Sequence, residues 1–212
     1  APISLYHDSP YSISKVIGEF YGNYYFVKNN FPIVKARFSN VYGPREILGA
    51  GKWRGTIHTI WRNVIPTFIW KCILGDDLTL DNNGQTTRDF VYVNDMVLGL
   101  MKCALKGEKG EVYNLASGNG TKIIDLAKLI KKETKSNSRF IFNPPRSWDR
   151  SGKRFASTEK SYKNLGFKTN VSIEDGIVET IKWTLSNRDL IQNCINSHKS
   201  HLNKEDIKKY TR

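Results

Sequence analysis

From Pro10 to Asn29 the apolar residues Ile13, Ile17, Phe20 and Tyr24 recur at helical spacing, and Asn29-Asn30 followed by Pro32 stops the run. Directly after it, Ile33 to Phe38 is β-branched and apolar apart from Lys35 and Arg37, which is the pattern of a strand. That strand runs into the turn-rich Ser39-Asn40-Val41-Tyr42-Gly43-Pro44-Arg45. A helix feeding a strand that ends in a turn, repeated along the chain, restricts the fold to an α/β architecture. In open sheets of that kind ligands bind at the carboxyl ends of strands, so residues 39–45 mark one place for a site.

The remaining elements follow the same alternation. Thr59 to Cys72 reads as a helix interrupted near Pro66, Leu78-Thr79-Leu80 as a short strand, and Asn82-Asn83-Gly84 as a turn. Thr87 to Asp95 is expected to be a strand that ends at a capping carboxylate, Asp95, followed by a helix from Met96 to Lys106. Glu111 to Leu115 is another strand, and Ala116-Ser117-Gly118 is the turn to a helix capped by Thr121 and running through Ile124, Ala127 and Ile130. Arg139 to Phe142 is a short strand, and Ser157 to Leu165 is a short helix closed by Gly166. Ser172, with Asp175 three positions on, caps a long helix whose expected buried stripe is Ile173, Ile177, Ile181 and Leu185. Beyond Asn187 the chain is polar and basic, and it is expected to fray. Residues 45–57 carry Gly49, Gly51 and Gly55 with Lys52 and Arg54, a mobile basic loop that lacks the Gly-Lys-Ser/Thr of a Walker phosphate loop.

Two side chains stand at a spacing that chemistry can use. Tyr11 and Lys15 are four apart, and with Ser9 as cap and Pro10 in the first turn both project from one helix face. There an ammonium favours the phenolate and makes a proton acceptor out of a phenol. The spacing is also that of an ordinary surface pair, so by itself it assigns no chemistry.

Composition narrows the class. The 33 Lys and Arg against 20 Asp and Glu leave a net charge of +13, which raises nucleic acid as a partner. The excess, however, is spread along helices and gathered in Lys199, Lys204, Lys208, Lys209 and Arg212 rather than interleaved with aromatics. A solvated basic tail accounts for it; no nucleic-acid partner is expected, and individual arginines are free for an anionic small ligand such as a diphosphate. No apolar run approaches the roughly 20 residues a membrane helix needs, so no membrane partner is expected. The chain opens Ala1-Pro2-Ile3-Ser4 without methionine or an apolar h-region, so a signal peptide is not expected and the chain reads as part of a longer one. Cys72, Cys103 and Cys194 are too far apart for a Cys-x-x-Cys pairing, and His198 with His201 makes no ligand set. Neither disulfide nor metal is expected, and a reducing cytoplasm fits best.

Ser9-Pro10-Tyr11-Ser12-Ile13-Ser14-Lys15-Val16-Ile17-Gly18-Glu19 resembles the catalytic helix of the extended short-chain dehydrogenase/reductase family, the NAD-dependent nucleotide-sugar epimerases and dehydratases. Arg37-Phe38-Ser39-Asn40-Val41-Tyr42-Gly43-Pro44 is similar to a second family signature, and Arg88-Asp89-Phe90-Val91-Tyr92-Val93-Asn94-Asp95 to a third. Arg62 to Ile69 and Val112 to Gly118 are further matches, so the likeness covers nearly all of residues 9–187.

The resemblance implies an incomplete Rossmann-type, doubly wound NAD(P)-binding fold joined to a smaller α/β substrate-binding domain. Residues 1–44 would be the remnant of the NAD-binding domain and residues 45–187 mainly the nucleotide-sugar domain, with 88–118 partly returning to the Rossmann sheet and 188–212 a basic tail. It implies Tyr11 as acid/base, Lys15 as holder of the nicotinamide ribose, and Phe38 in the strand lining the nicotinamide. Asn40, Asn63 and Arg88 would anchor the substrate diphosphate, and Leu80 would hold the base. Arg146 or Arg150 would be the last substrate arginine, in a segment that departs from the family's Arg-x-Gly-Asp pattern. On its own residues, Asn40 is equally a turn residue, a surface ion pair with Asp89 is the lesser alternative for Arg88, and helix packing accounts equally well for the apolar residues of 62–69. The implied substrate is a UDP- or dTDP-sugar passing through a 4-keto intermediate, with 4-epimerisation favoured over 4,6-dehydration or decarboxylation. The cofactor would be NAD and the assembly a homodimer through a four-helix bundle that includes the helix of Tyr11. No Gly-x-x-Gly-x-x-Gly turn precedes Tyr11, so the isolated chain is expected to be inactive. A non-catalytic nucleotide-sugar-binding or dimerising remnant is the reading from another class.

Overall fold

Pro10 takes the first position of α1 (Pro10–Asn29), where its missing N–H costs nothing, in a computed structural model that describes residues 10–46, 63–145, 152–202 and 204–211. The helix stops at Asn30, whose φ of 52° leaves the helical region just before Pro32. β1 (Lys35–Phe38) returns alongside, and Arg37 grips Glu19 of α1 through two bonds of 2.6 and 2.5 Å. This fork, more than any other contact, holds the Glu19 carboxyl below its ordinary value of 4.5. The tie is therefore at full strength above that pH and is lost as pH falls through the lowered value; half-exposed, it contributes under about 1 kcal/mol.

The turn expected at residues 39–45 contains a further strand, β2 (Asn40–Tyr42), drawn out by a parallel partner, β5 (Phe90–Tyr92). Gly43 follows at φ 150°, where an added Cβ would lie 2.6 Å from Val93 Cγ1, so strand and neighbour meet without a side chain between them. α2 (Val64–Leu74) has Pro66 in its first turn, so the proline opens the helix instead of interrupting it; residues 59–62 lie outside the described ones. Next come β3 (Leu78–Asp81), β4 (Thr87–Arg88) and, after β5, α3 (Val93–Lys106). Asp95, expected as the cap, sits instead inside the first turn of α3. It is 2% exposed, and its carboxylate accepts the backbone N–H groups of Asn170 and Val171 at 2.9 and 3.0 Å, so a distant loop claims it before its own helix can.

β6 (Val112–Leu115) leads through the Gly118 turn to β7 (Thr121–Lys122) and α4 (Ile123–Glu133). Thr121 does not cap α4: it lies opposite Arg88 in an antiparallel ladder. After β8 (Phe140–Asn143) and β9 (Lys153–Arg154), α5 (Glu159–Leu165) closes at Gly166 with φ 61°. Ser172 caps α6 (Ile173–Ser186) as expected, accepting Asp175 N–H at 3.0 Å and donating to the Asp175 carboxylate at 2.7 Å. β1 pairs with β6, β2 with β5 and β3 with β8, all parallel, while β4 lies between antiparallel β7 and parallel β9.

Two apolar clusters organise these elements. One joins α2, α4 and α6 over β3 through Ile65, Ile69, Leu78, Leu80, Ile130 and Ile177. The other sets α3 against β5, β6 and α5 through Val91, Met96, Tyr113, Leu115 and Phe167. The inner face of α6 differs from expectation, for Leu185 is 47% exposed while Gly176, Thr180 and Thr184 are buried with Ile177 and Ile181. Close approach to β2 explains the shift: a Cβ at Gly176 would lie 2.1 Å from the Tyr42 hydroxyl, so small residues face inward. The helical stripe of α1 differs too. Of its residues only Gly22 is buried, and Ile13, Ile17, Phe20 and Tyr24 are 44, 45, 53 and 58% exposed.

The stretch expected to fray forms α7 (Arg188–Ser197) and α8 (Lys204–Tyr210), which, with Leu202 in the connection between them, pack Ile191, Ile195 and Tyr210 onto Trp70 of α2. The Tyr210 hydroxyl donates to Asp76 at 2.8 Å, and burial followed by that carboxylate pushes the phenol up to about 12. Lys209 pairs with the same carboxylate at 2.8 Å. Ile195 is wholly buried, so Ile195→Ala should cost about 2–5 kcal/mol, whereas Leu185→Ala should stay within ~0.5 kcal/mol. Urea denaturation measures both, and a C-terminal unit that does not pack would show no difference between them.

Candidate functional site

α1 brings the tyrosine and the amine onto one open face. The Lys15 ammonium lies 5.1 Å from the centroid of the Tyr11 ring, a cation–π distance, and Tyr11 is 66% exposed. The Ser14 hydroxyl donates to the Tyr11 carbonyl at 2.8 Å, adding a side-chain tie within the first turn. A phenol and an ammonium so placed can pass a proton to and from a group arriving from outside. Phe38, the last residue of β1, is also exposed. Tyr11 and Lys15 thus offer a hydroxyl and a cation together, and Phe38 offers an exposed ring at the end of β1.

At the carboxyl side of β1 and β4 two further candidates come together. Asn40 directs its backbone N–H and its Nδ2 to the carbonyl of Asp89, each at 3.0 Å, and Arg88 is the neighbouring residue. The Arg88 guanidinium donates to the carbonyls of Thr87 at 2.9 Å and Gly152 at 3.4 Å, and not to Asp89 as an ion-pair reading of the two neighbours has it. Asp89 is 1% exposed and is spent elsewhere, accepting Ser117 N–H, the Ser117 hydroxyl and Gly118 N–H at 2.9, 2.7 and 3.0 Å. Arg154 of β9 sits beside Arg88 in parallel register, a basic neighbour that only the ladder reveals.

The other candidates are placed less simply. Asn63 stands at the cap position of α2 but makes no cap bond; its amide donates to the Glu46 carboxylate, which burial pushes up and the amide pulls back down. Leu80, the expected holder of a base, lies in β3. Its side chain is wholly buried in the core with Ile69 and Ile130, because the two-residue period of β3 turns Leu78 and Leu80 inward and leaves Thr79 and Asp81 as the accessible positions. Arg146 and Arg150 lie outside the described residues. Asp89 and Glu46 are the polar groups that reasoning along the chain passes over, since partners 28 and 17 positions away carry no local signal. Among the described residues no group of three or more His, Cys, Asp or Glu could hold a metal, and no helix is long and apolar enough to cross a membrane.

Comparison with known proteins gives the family and the fold. The model of the NAD dependent epimerase/dehydratase family matches residues 1–116, more than half of the 212. A dTDP-D-glucose 4,6-dehydratase of Mus musculus is 32% identical in an alignment of 188 positions that covers 84% of this chain and 48% of that protein. The Bordetella bronchiseptica enzyme WbmF, crystallised in complex with NAD+ and UDP, is 52% identical with a TM-score of 0.85, over 95% of this chain and 60% of that one. A UDP-glucose 4-epimerase of Thermotoga maritima, solved with UDP-glucose, is 28% identical with a TM-score of 0.75, over 89% and 55%. The chain thus spans about half the length of the mouse and Thermotoga proteins. Its α/β fold is of the Rossmann type, and by sequence and architecture the chain belongs to the NAD dependent epimerase/dehydratase family.

Proposed function

We propose that this chain carries the acid/base pair and much of the substrate site of an enzyme that oxidises the sugar of a nucleoside diphosphate sugar at C4 and then reduces it again. The observation that carries the reading is the Tyr11–Lys15 pair, 5.1 Å apart from ammonium to ring and open on one face of α1. Tyr11 takes the proton of the sugar 4-hydroxyl and later returns one, while Lys15 keeps positive charge against the phenol and binds a ribose hydroxyl. NAD, when bound, supplies the hydride acceptor and donor. Asn40, Asn63 and Arg88, with Arg146 or Arg150, hold the diphosphate so that the sugar hydroxyl stays within reach of Tyr11.

UDP is the favoured nucleotide, supported by 52% identity to an enzyme solved with UDP, and 4-epimerisation is the favoured outcome. A 4,6-dehydratase is the second reading, supported by 32% identity to the mouse dTDP-D-glucose 4,6-dehydratase. Residues 1–212 contain no Gly-x-x-Gly-x-x-Gly turn to seat the dinucleotide pyrophosphate, so catalysis requires a dinucleotide-binding unit outside them. The exposed Ile17, Phe20, Tyr21 and Tyr24 face of α1 is where a second copy docks, giving a homodimer.

In the longer protein this reading requires, Tyr11→Phe should lower hydride transfer about 10²–10⁴-fold, followed as NADH absorbance, while UDP-glucose affinity stays within about twofold. Full turnover in that variant removes Tyr11 from its role. Residues 1–212 alone should bind UDP-glucose in calorimetry and show no 4-epimerisation; turnover by them contradicts the need for an added unit, and no binding contradicts the substrate site. Phe20→Asp should shift sedimentation from dimer to monomer, and an unchanged dimer places the interface elsewhere.

A further inference from the structure

Asp89 lies in the single-residue gap between β4 and β5, 1% exposed. One carboxylate oxygen accepts Ser117 N–H at 2.9 Å and the Ser117 hydroxyl at 2.7 Å; the other accepts Gly118 N–H at 3.0 Å and, at the limit of hydrogen-bond distance, Ala156 N–H at 3.5 Å. Its carbonyl accepts the backbone N–H of Asn40 and one N–H of the Asn40 side-chain amide. Four stretches far apart in the chain, at 40, 89, 117 and 156, therefore meet at one residue.

A carboxylate inside a protein is tolerated when donors fill its lone pairs, and the donors here are neutral. What the ionised group supplies is acceptor capacity on both oxygens, which an amide side chain lacks. It draws the 117–118 turn and the segment that follows β9 at Ala156 toward the peptide that carries Arg88 on one side and receives Asn40 on the other. Asn40 has one amide N–H committed to the Asp89 carbonyl, which fixes its orientation. Arg88 is held in a ladder whose parallel neighbour is Arg154, two residues before Ala156.

We propose that Asp89 is a positioning residue for diphosphate recognition: it sets the placement of Asn40, Arg88 and the strand bearing Arg154 relative to one another and acts through them. This rests on the reading of Asn40 and Arg88 as diphosphate anchors. Asp89→Asn keeps the volume but turns an NH₂ toward N–H donors, and it should raise the dissociation constant for UDP about tenfold in calorimetry on the 212-residue chain. Ser117→Ala removes the hydroxyl bond to Asp89, together with the Asn119 N–H bond to the same hydroxyl, and leaves the backbone N–H bonds to Asp89 in place; it should raise the constant about threefold, deciding the matter should Asp89→Asn not fold. Asp95→Asn alters an equally buried carboxylate that also accepts backbone N–H groups; it should lower the melting temperature while leaving UDP affinity within about twofold, which separates positioning from stability. UDP binding within about twofold in both Asp89→Asn and Ser117→Ala overturns the inference and leaves the anchors standing. No UDP binding by the unmodified chain overturns the anchors and the inference together.

Discussion

An ionised carboxylate in a protein interior costs more than a domain's whole margin of stability unless its oxygens are filled with donors. Much of this fold turns on two that are filled. Asp89 stands immediately before β5 and Asp95 three residues after it, and β5 itself is buried at all three positions. Asp89 draws in the turn at 117–118, and Asp95 draws in the loop at 170–171. Segments that follow much later in the chain are thus stapled at both ends of one three-residue strand. Arg88 and Asn40 inherit their places from that staple.

The other organising constraint is where apolar surface goes. α2, α4 and α6 spend theirs on one core, and α3 with β5, β6 and α5 on another. α1 does not follow them: held to β1 by the Arg37–Glu19 fork, it turns Ile13, Ile17, Phe20 and Tyr24 outward. α3 likewise leaves Val97, Leu98 and Met101 about half exposed. Parallel strands such as β1 and β6 are ordinarily covered by helices on both faces, and the apolar surface that α1 and α3 leave open lies beside that pair.

Local signals were readable from the chain, because they depend on residues within one turn of each other. Pro10 opens α1, Gly166 closes α5 in the left-handed region, and the Ser172–Asp175 pair caps α6. Where a residue has two uses the reading fails, since the choice between them is made by a partner far away. Thr121 is a good cap and a good strand residue, and β4 claims it. Asp95 is a good cap, and Asn170 and Val171 claim it. The helices beyond Asn187 were hidden because a polar composition masks Ile191 and Ile195, one helical turn apart, and their partner Trp70 lies in α2. Leu80 follows the period of its own strand, which turns its side chain inward with that of Leu78.

The sequence by itself determined the α/β alternation, the Tyr11–Lys15 interval and the family signatures, all of which are short-range patterns carried by covalent spacing. Tertiary structure alone decided that Asp89 is a buried hub and no ion-pair partner of Arg88, that Arg154 stands beside Arg88, and that α1 keeps its apolar face outward. The physical reason is that hydrogen-bond saturation and burial are settled between groups brought together from across the chain, and spacing along it records neither.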